Sequence, residues 1–377
     1  MKQSPAAIRA AVAAMFFMAG ICFSSWASRI ATIQQKLSIS EGVFGAVLFA
    51  MPVGLMLSLP VSGWVVNRFG SRKVVCTALI GYALALTGLG FMPSIYTLAA
   101  NIMVFGFFSN AVNVSVNAQA VATEALFKKP IMASFHGVWS MAGFIGGGVG
   151  TLMIGQRIPA SMHFIIMAAV VVASVFICWR HLNDDHTPAT EKKKAFAKPD
   201  AALITLGVIA FCSMVVEGTM FDWTTIYFKK VINATDANAG LGFTAGMCMM
   251  ATGRFIADRF SARFGLKRTL QVSGALSLTG LLTVIVFPYL VPGIIGLMLI
   301  GSGISSVVPL VYSVAGRSTT MAPGPAIAAV STISFLGFLI GPPVIGLLAE
   351  AFNLRISFAF VALMALFVIV FSSRAKI

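Results

Sequence analysis

Long apolar runs separated by short polar ones organise the chain. A helix needs about 20 largely apolar residues to cross a bilayer. Twelve runs fit that length: 8–30, 42–66, 74–92, 95–122, 131–155, 161–180, 201–228, 239–261, 269–289, 292–315, 325–349 and 356–373. One long polar run interrupts them at 179–200 and carries His181, Asp184, Asp185, His186, Glu191, Lys192, Lys193, Lys194, Lys198 and Asp200. So much charge with so little apolar content cannot bury a core, so the run reads as a solvated linker. It lies near the midpoint of the 377 residues and leaves six spans on each side. The pattern predicts an all-α membrane protein with an N-terminal six-helix bundle at 1–181, a cytoplasmic linker at 182–200 and a C-terminal six-helix bundle at 201–377.

Composition sharpens this picture. Charged residues make up 10% of the chain and apolar ones 58%, whereas soluble domains run near 25% charged. The net charge of +15 would suit a nucleic-acid partner if it lay on one face. Here the basic residues sit in short loops between spans, so no nucleic-acid role is expected. With both termini in the cytoplasm, 20 of the 26 Lys and Arg residues fall on the cytoplasmic side and six on the other. The excess of positive charge on cytoplasmic loops selects that orientation. Five scattered cysteines show no metal spacing, and no cofactor or metal site is expected. The first span lacks a small-residue cleavage pattern and reads as retained.

The two halves repeat. Arg68-Phe69-Gly70 after the second span recurs as Arg263-Phe264-Gly265 after the eighth, at an offset of 195. Ser140, Gly143, Phe144 and Gly147 in span five recur as Ser334, Gly337, Phe338 and Gly341 in span eleven, at an offset of 194. Trp26 and Trp223 match at an offset of 197. Parallel repeats of this kind place a solute site between the halves near mid-membrane.

Gly63, Arg68, Gly70 and Arg72, with basic residues after the second span, resemble the signature of the major facilitator superfamily. Asn67 and Ala262 stand where that pattern usually has an acid. The stretches Ser25-Trp26-Ala27, Asn117 to Val121, Phe135 to Ser140 and Glu217 to Trp223 resemble a bacterial inner-membrane branch distantly similar to sugar permeases. The resemblance implies twelve helices in two pseudo-symmetric bundles, alternating access and an inner gate at Arg68, Arg72 and Arg263.

An ionisable residue inside a span costs about 2.5–3.5 kcal/mol to insert, so each is a functional candidate. Glu217 is the deepest acid and offers a group that loads a proton on one side and releases it on the other. Asp222, five residues on, is a second proton candidate and a possible outer latch to Arg29. Arg254 and Asp258 stand four residues apart and are expected to pair within their helix at the inner gate. Asn110, Asn113 and Asn117 form one helical stripe suited to hydrogen-bonding a polar solute or a neighbouring helix. Glu124 extends that stripe, while Gln119 on the opposite side is expected to bond another helix. His136, Ser140, Trp26 and Trp223 complete the solute candidates. The tryptophans could stack on a sugar ring, but equally could anchor span ends.

No HExxH, GxSxG or phosphate loop is present, so an enzyme is not expected. The expected function is secondary active transport of a small polar or sugar-like solute by a monomer, coupled to protons. Efflux by proton antiport and a non-transporting membrane receptor are the alternatives.

Overall fold

The computed structural model describes residues 4–127, 131–183, 200–315, 318, 320–321 and 323–375. All regular structure among them is helical: α1 (Pro5–Leu37), α2 (Glu41–Leu48), α3 (Ala50–Phe69), α4 (Ser71–Leu89), α5 (Ile95–Glu124), α6 (Met132–Gly155), α7 (Ala160–Cys178), α8 (Ala201–Asp222), α9 (Thr224–Lys230), α10 (Leu241–Phe264), α11 (Leu266–Val286), α12 (Leu290–Ala315), α13 (Pro323–Ala351) and α14 (Leu354–Arg374), with a short 3₁₀ turn at Trp179–His181. In hydrocarbon every backbone polar group must be satisfied internally, which leaves the helix as the only local solution for such runs. Polar caps set several starts: Ser4 for α1, Ser94 with Thr97 for α5, Asp200 for α8 and Asn353 for α14.

Eleven helices among the described residues are long and apolar enough to span a membrane. The expected twelfth, α10, is 24 residues long, and its described apolar stretch covers Leu241–Ala257. Its second half carries Arg254, Asp258, Arg259 and Arg263, which lowers its hydropathy. The second span is split into α2 and α3 at Phe49. Pro52 supplies the reason, since without an N–H it cannot bond the Leu48 carbonyl and the ladder loses a rung there.

The chain forms two compact units, residues 1–39 with 47–190 and residues 40–46 with 191–377. In the first, α1 packs on α6 and α7, α3 on α5, and α4 on α5 and α7. In the second, α8 packs on α13 and α14, α10 on α12, and α11 on α12 and α14. These pairings correspond one for one, span by span. The sequence repeat is therefore a repeat of helix packing. Residues 40–46 cluster with the second unit although they open the second span. There Glu41 pairs with Lys230 at 2.5 Å and the Ser40 hydroxyl donates to Glu350 at 3.2 Å.

The repeated Phe-Gly has a conformational cause. Gly70 has φ 83° and ψ 147°, and Gly265 has φ 80° and ψ 158°, values open essentially to glycine alone. Each N–H closes the preceding helix, Gly70 on the Val66 carbonyl and Gly265 on that of Ser261, both at 2.9 Å. The chain then enters the next helix without a loop.

Gln119 is fully buried and bonds away from the asparagine stripe, as its position implies. Its Nε2 donates to Ser71 Oγ at 2.7 Å and to the Asn183 carbonyl at 2.8 Å, while its Oε1 accepts from the Asn183 N–H at 2.9 Å. This clasp joins α5 to the start of α4 and to the segment after α7. Gln119→Leu leaves those groups unpaired in an apolar setting. The expected loss is about 3 kcal/mol, read as a lower midpoint in thermal unfolding of the detergent-purified protein.

At the start of the second unit, Asp200 Oδ2 accepts from the Thr320 hydroxyl at 2.6 Å and Oδ1 from the Leu203 N–H at 2.8 Å. The Thr320 hydroxyl, and after it the backbone donor, hold this carboxyl below the usual carboxylate range. A carboxyl depressed in the folded state stabilises above its unfolded pKa, and that contribution is lost as pH falls through the folded one. Asp200→Asn keeps the cap and removes the dependence. The expected result is a smaller fall in unfolding temperature between about pH 5 and about pH 3 than the unaltered chain shows.

Candidate functional site

Glu217 sits on α8 and Arg254 on α10, both inside the second unit and both inside spans. Arg254 Nη2 lies 3.7 Å from Glu217 Oε1. The two side chains keep 20% and 11% of their surface open, respectively, so the pair borders accessible space. The expected Arg254–Asp258 pairing falls on a side chain that lies outside the described residues. An i, i+4 register brings two side chains near each other on one helix. A span-depth arginine facing a span-depth acid on a neighbouring helix sets opposite charges together, which lowers the cost of holding both inside a span. Arg254 thus meets Glu217 across the packing of α8 and α10.

Hydroxyl groups stand on the helices toward Glu217. Tyr312 on α12 and Ser334 on α13 share a hydrogen bond of 2.7 Å, and Tyr312 lies within the electrostatic reach of Glu217. Ser213 stands one helical turn before Glu217. Its Oγ is buried with no hydrogen-bond partner among the described residues. The sequence reading missed Tyr312 and Ser213, and took Ser334 only as a repeat marker. Ser213 had a readable signal in its i−4 spacing to Glu217 on an apolar helix. Tyr312 had none, because its neighbour is set by the packing of α8 on α12.

Asp222 ends α8, is 7% exposed and adjoins Trp223. Trp223 is fully buried against Phe44, with ring centroids 6.4 Å apart. Trp26 is fully buried against Phe105 at 6.3 Å. Neither indole presents a face to a solute, which corrects the expected stacking role. Both matching positions are buried, though each indole meets a partner from a different span. Neither Nε1 has an acceptor among the described residues.

Arg29 is buried within the first unit. Its Nε donates to His163 Nδ1 at 3.1 Å and its Nη2 to the Ile158 carbonyl at 2.9 Å. Both partners lie within the first unit. His163 was not a candidate on sequence. It accepts at Nδ1, so its proton sits on Nε2, and that atom is buried without a partner among the described residues.

The asparagine stripe divides by depth. Asn110 is 3% exposed and turned into the bundle, whereas Asn113 is exposed. Asn117 Nδ2 donates to Asn113 Oδ1 at 2.9 Å and to its carbonyl at 2.8 Å. Asn113 and Asn117 therefore form one open amide pair, and Asn110 belongs to the core. Glu124, at the end of α5, caps the start of α6 by accepting from the N–H groups of Ile131 and Met132 at 2.7 and 2.8 Å. His136 is exposed and edge-on to Phe16 at 5.4 Å, while Ser140 is buried and donates to the His136 carbonyl at 3.1 Å. Of the loop arginines, Arg68 lies over Trp64 and Phe69, Arg72 stacks on Trp179 at 4.9 Å and donates to its carbonyl at 2.9 Å, and Arg263 lies over Phe264. Each is held by cation–π contact.

The family profile described as "Major Facilitator Superfamily" matches residues 11–323 and 206–375. The chain belongs to the major facilitator superfamily. An uncharacterized transporter of Sinorhizobium fredii is 30% identical over 370 residues, covering 97% of both chains. An uncharacterized MFS-type transporter of Yersinia pestis is 30% identical, covering 93% of this chain and 91% of its own. Membrane protein MosC of Rhizobium meliloti is 28% identical over 93% and 86% of the two chains. Among solved structures, a mutant form of the nucleoside transporter NupG superposes with a TM-score of 0.80 at 11% identity, covering 98% of this chain and all of that one. A bacterial homologue of the lysosomal transporter Spinster, inward-facing and unoccupied, gives 0.75 at 14% identity over 98% and 96% of the chains. These likenesses fix the major facilitator fold. With the family they make the protein a multi-pass membrane transporter of a small molecule and not an enzyme.

Proposed function

We propose that this major facilitator transporter is a proton-coupled secondary carrier for a small polar solute, with Glu217 as the group that takes up and releases the proton. The observation that supports this most strongly is the Glu217–Arg254 pair. At an effective dielectric of about 20, two charges about 4 Å apart attract by about 4 kcal/mol. Inserting the two charges into hydrocarbon costs about 2.5–3.5 kcal/mol each. The attraction offsets one insertion and part of the second, so stability alone gives the fold no reason to hold the pair. A proton on Glu217 releases Arg254, and that change in contacts is what a carrier needs to shift its conformational equilibrium. Asp222, buried near the end of the same helix, is the second proton group.

On the first unit, the open amide pair of Asn113 and Asn117, with His136 beside Phe16, supplies hydrogen bonds to the solute. Arg68, Arg72 and Arg263 serve the inner gate and enforce topology, with both termini in the cytoplasm of a bacterial inner membrane. The carrier acts as a monomer. A thermal-shift screen of the purified protein against sugars, organic acids and amphiphiles identifies the solute, and its flux in proteoliposomes across an imposed pH gradient tests the coupling. Flux indifferent to the gradient overturns the reading.

A further inference from the structure

We propose that the solute is a neutral compound bearing an amide N–H beside its carbonyl, as in a carboxamide, lactam or ureide, and that Asn113 and Asn117 on α5 read that group. This assignment rests on the reading of the open amide pair as the solute's hydrogen-bond partner and names the chemistry the pair accepts. The two ends of an asparagine amide have the same shape, and only their partners tell nitrogen from oxygen. Here the partners do so. The Asn113 backbone carbonyl can only accept, so the Asn117 atom 2.8 Å from it is the nitrogen. That nitrogen only donates, so the Asn113 side-chain atom 2.9 Å from it is the oxygen. Both hydrogens of Asn117 Nδ2 are then committed within the helix. The atoms left over have fixed and opposite characters. Asn117 Oδ1 accepts, Asn113 Nδ2 donates, and neither has a partner among the described residues.

Asn113 is exposed, and the pair lies within the apolar run of α5. Free amide atoms are costly against hydrocarbon, so this open side is one that meets water or solute. Its surroundings in the first unit are short of charge. On α5 the one charged residue is Glu124, which is taken up by the N–H groups of Ile131 and Met132. On α3 and α4, packed along α5, charge is confined to Arg68, Arg72 and Lys73 where the two helices join. On α1, Arg9 lies near the start and Lys36 near the end, and Arg29 gives its donors to His163 and the Ile158 carbonyl. On α6 the one titratable side chain is His136.

The classes of solute then differ. A carboxylate offers two acceptors, so one of them meets the Asn117 oxygen. An ammonium offers only donors, so it meets the Asn113 nitrogen. Either also brings a charge to a place with no opposite charge set to receive it. A hydroxyl donates and accepts alike, so a pair that served polyols would need no fixed polarity. An amide fits both atoms at once, its N–H on Asn117 Oδ1 and its carbonyl on Asn113 Nδ2.

The test uses the full-length protein and compounds matched in shape but not in hydrogen-bonding character: benzamide with N,N-dimethylbenzamide, benzoate and benzylamine, uracil with its doubly N-methylated form and orotate, and glucose and inositol as polyols. Binding is read as thermal stabilisation of the detergent-purified protein, and transport as uptake into proteoliposomes with and without an imposed pH gradient. The expected result is stabilisation by at least one amide and not by its N-methylated or charged partners. Asn113→Asp keeps the inner acceptor for Asn117 and removes the outer donor, so it is expected to weaken that amide about 10-fold. Asn113→Leu removes both and is expected to weaken it at least as much. The aspartate variant serves where the leucine variant does not fold, and a purely structural pair would leave its affinity for the amide unchanged.

Stabilisation by the N-methylated compounds, the charged ones or the polyols equal to that by the amides overturns the assignment, as does silence across all the amides or an amide that binds Asn113→Asp as tightly as the unaltered chain. A polyol or charged solute that enters with protons removes the amide and leaves the coupling intact. An amide bound through Asn113 whose uptake ignores the pH gradient supports the assignment and removes the coupling.

Discussion

Glu217→Gln is expected to abolish accumulation driven by a pH gradient while exchange of solute across the membrane continues. Glutamine keeps the shape and an acceptor oxygen beside Arg254 but has no proton to load or release. The two loading states collapse into one, and the conformational equilibrium no longer responds to pH. The same change separates transport from stability. With its partner neutral, Arg254 loses the Glu217 charge inside a span, and removing one member of a buried pair costs about 3–5 kcal/mol. The neutral amide still hydrogen-bonds, which places the expected loss toward the lower end of that range. The measurements are counterflow and gradient-driven uptake in the same proteoliposomes, with thermal unfolding alongside. The double variant Glu217→Gln with Arg254→Gln is expected to recover most of the lost stability and none of the pH dependence. Accumulation still driven by a pH gradient in Glu217→Gln rules the residue out of coupling.

Much of the fold was legible because lipid allows so few solutions. The apolar runs located the spans to within a few residues, and the paired Phe-Gly turns announced the repeat that helix packing later reproduced. Local chemistry was legible where it stayed local. The direction of Gln119 followed from its helical angle, and Gly70 and Gly265 followed from motif position. The reading failed where a side chain chooses between a neighbour on its own helix and one across a packing interface. The contact of Arg254 with Glu217 on α8 is set by helix packing and no spacing announces it. Arg29 meets His163 on α7, a contact that no spacing announces. Trp26 and Trp223 carried the repeat symmetry that suggested binding, but symmetry marks equivalent places in the fold, and these two places are core. Sequence spacing gives the face of a helix. It does not give what that face meets.

The largest effect on folding is expected at the glycine crossings, because there the obstacle is backbone. A Cβ on Gly106 of α5 would lie 2.1 Å from the Met51 carbonyl oxygen of α3, and one on Gly54 of α3 would lie 1.9 Å from that of Met103. In the second unit, a Cβ on Gly301 of α12 would lie 2.1 Å from the Gly246 carbonyl oxygen of α10. The equivalent span pair is thus drawn together in each unit by missing side chains, the small-residue contact that substitutes for hydrophobic attraction between helices in lipid. Flexible side chains can swing aside from an added methyl, but a helix carbonyl cannot move without its helix. Gly106→Val and Gly301→Val should therefore force the two axes apart along their whole contact. The expected cost exceeds the usual ~1–3 kcal/mol of overpacking and prevents recovery of folded protein from the membrane. Gly63→Ala and Gly218→Ala make the comparison sharp, since a Cβ at either site meets nothing within 4 Å. Both are mid-helix glycines, where alanine is favoured by about 1 kcal/mol, so these variants are expected to purify at or above the level of the unaltered chain. Fluorescence-detected size exclusion of all four variants reads the difference directly, and a monodisperse Gly301→Val peak of normal height would show that α10 and α12 do not depend on this contact.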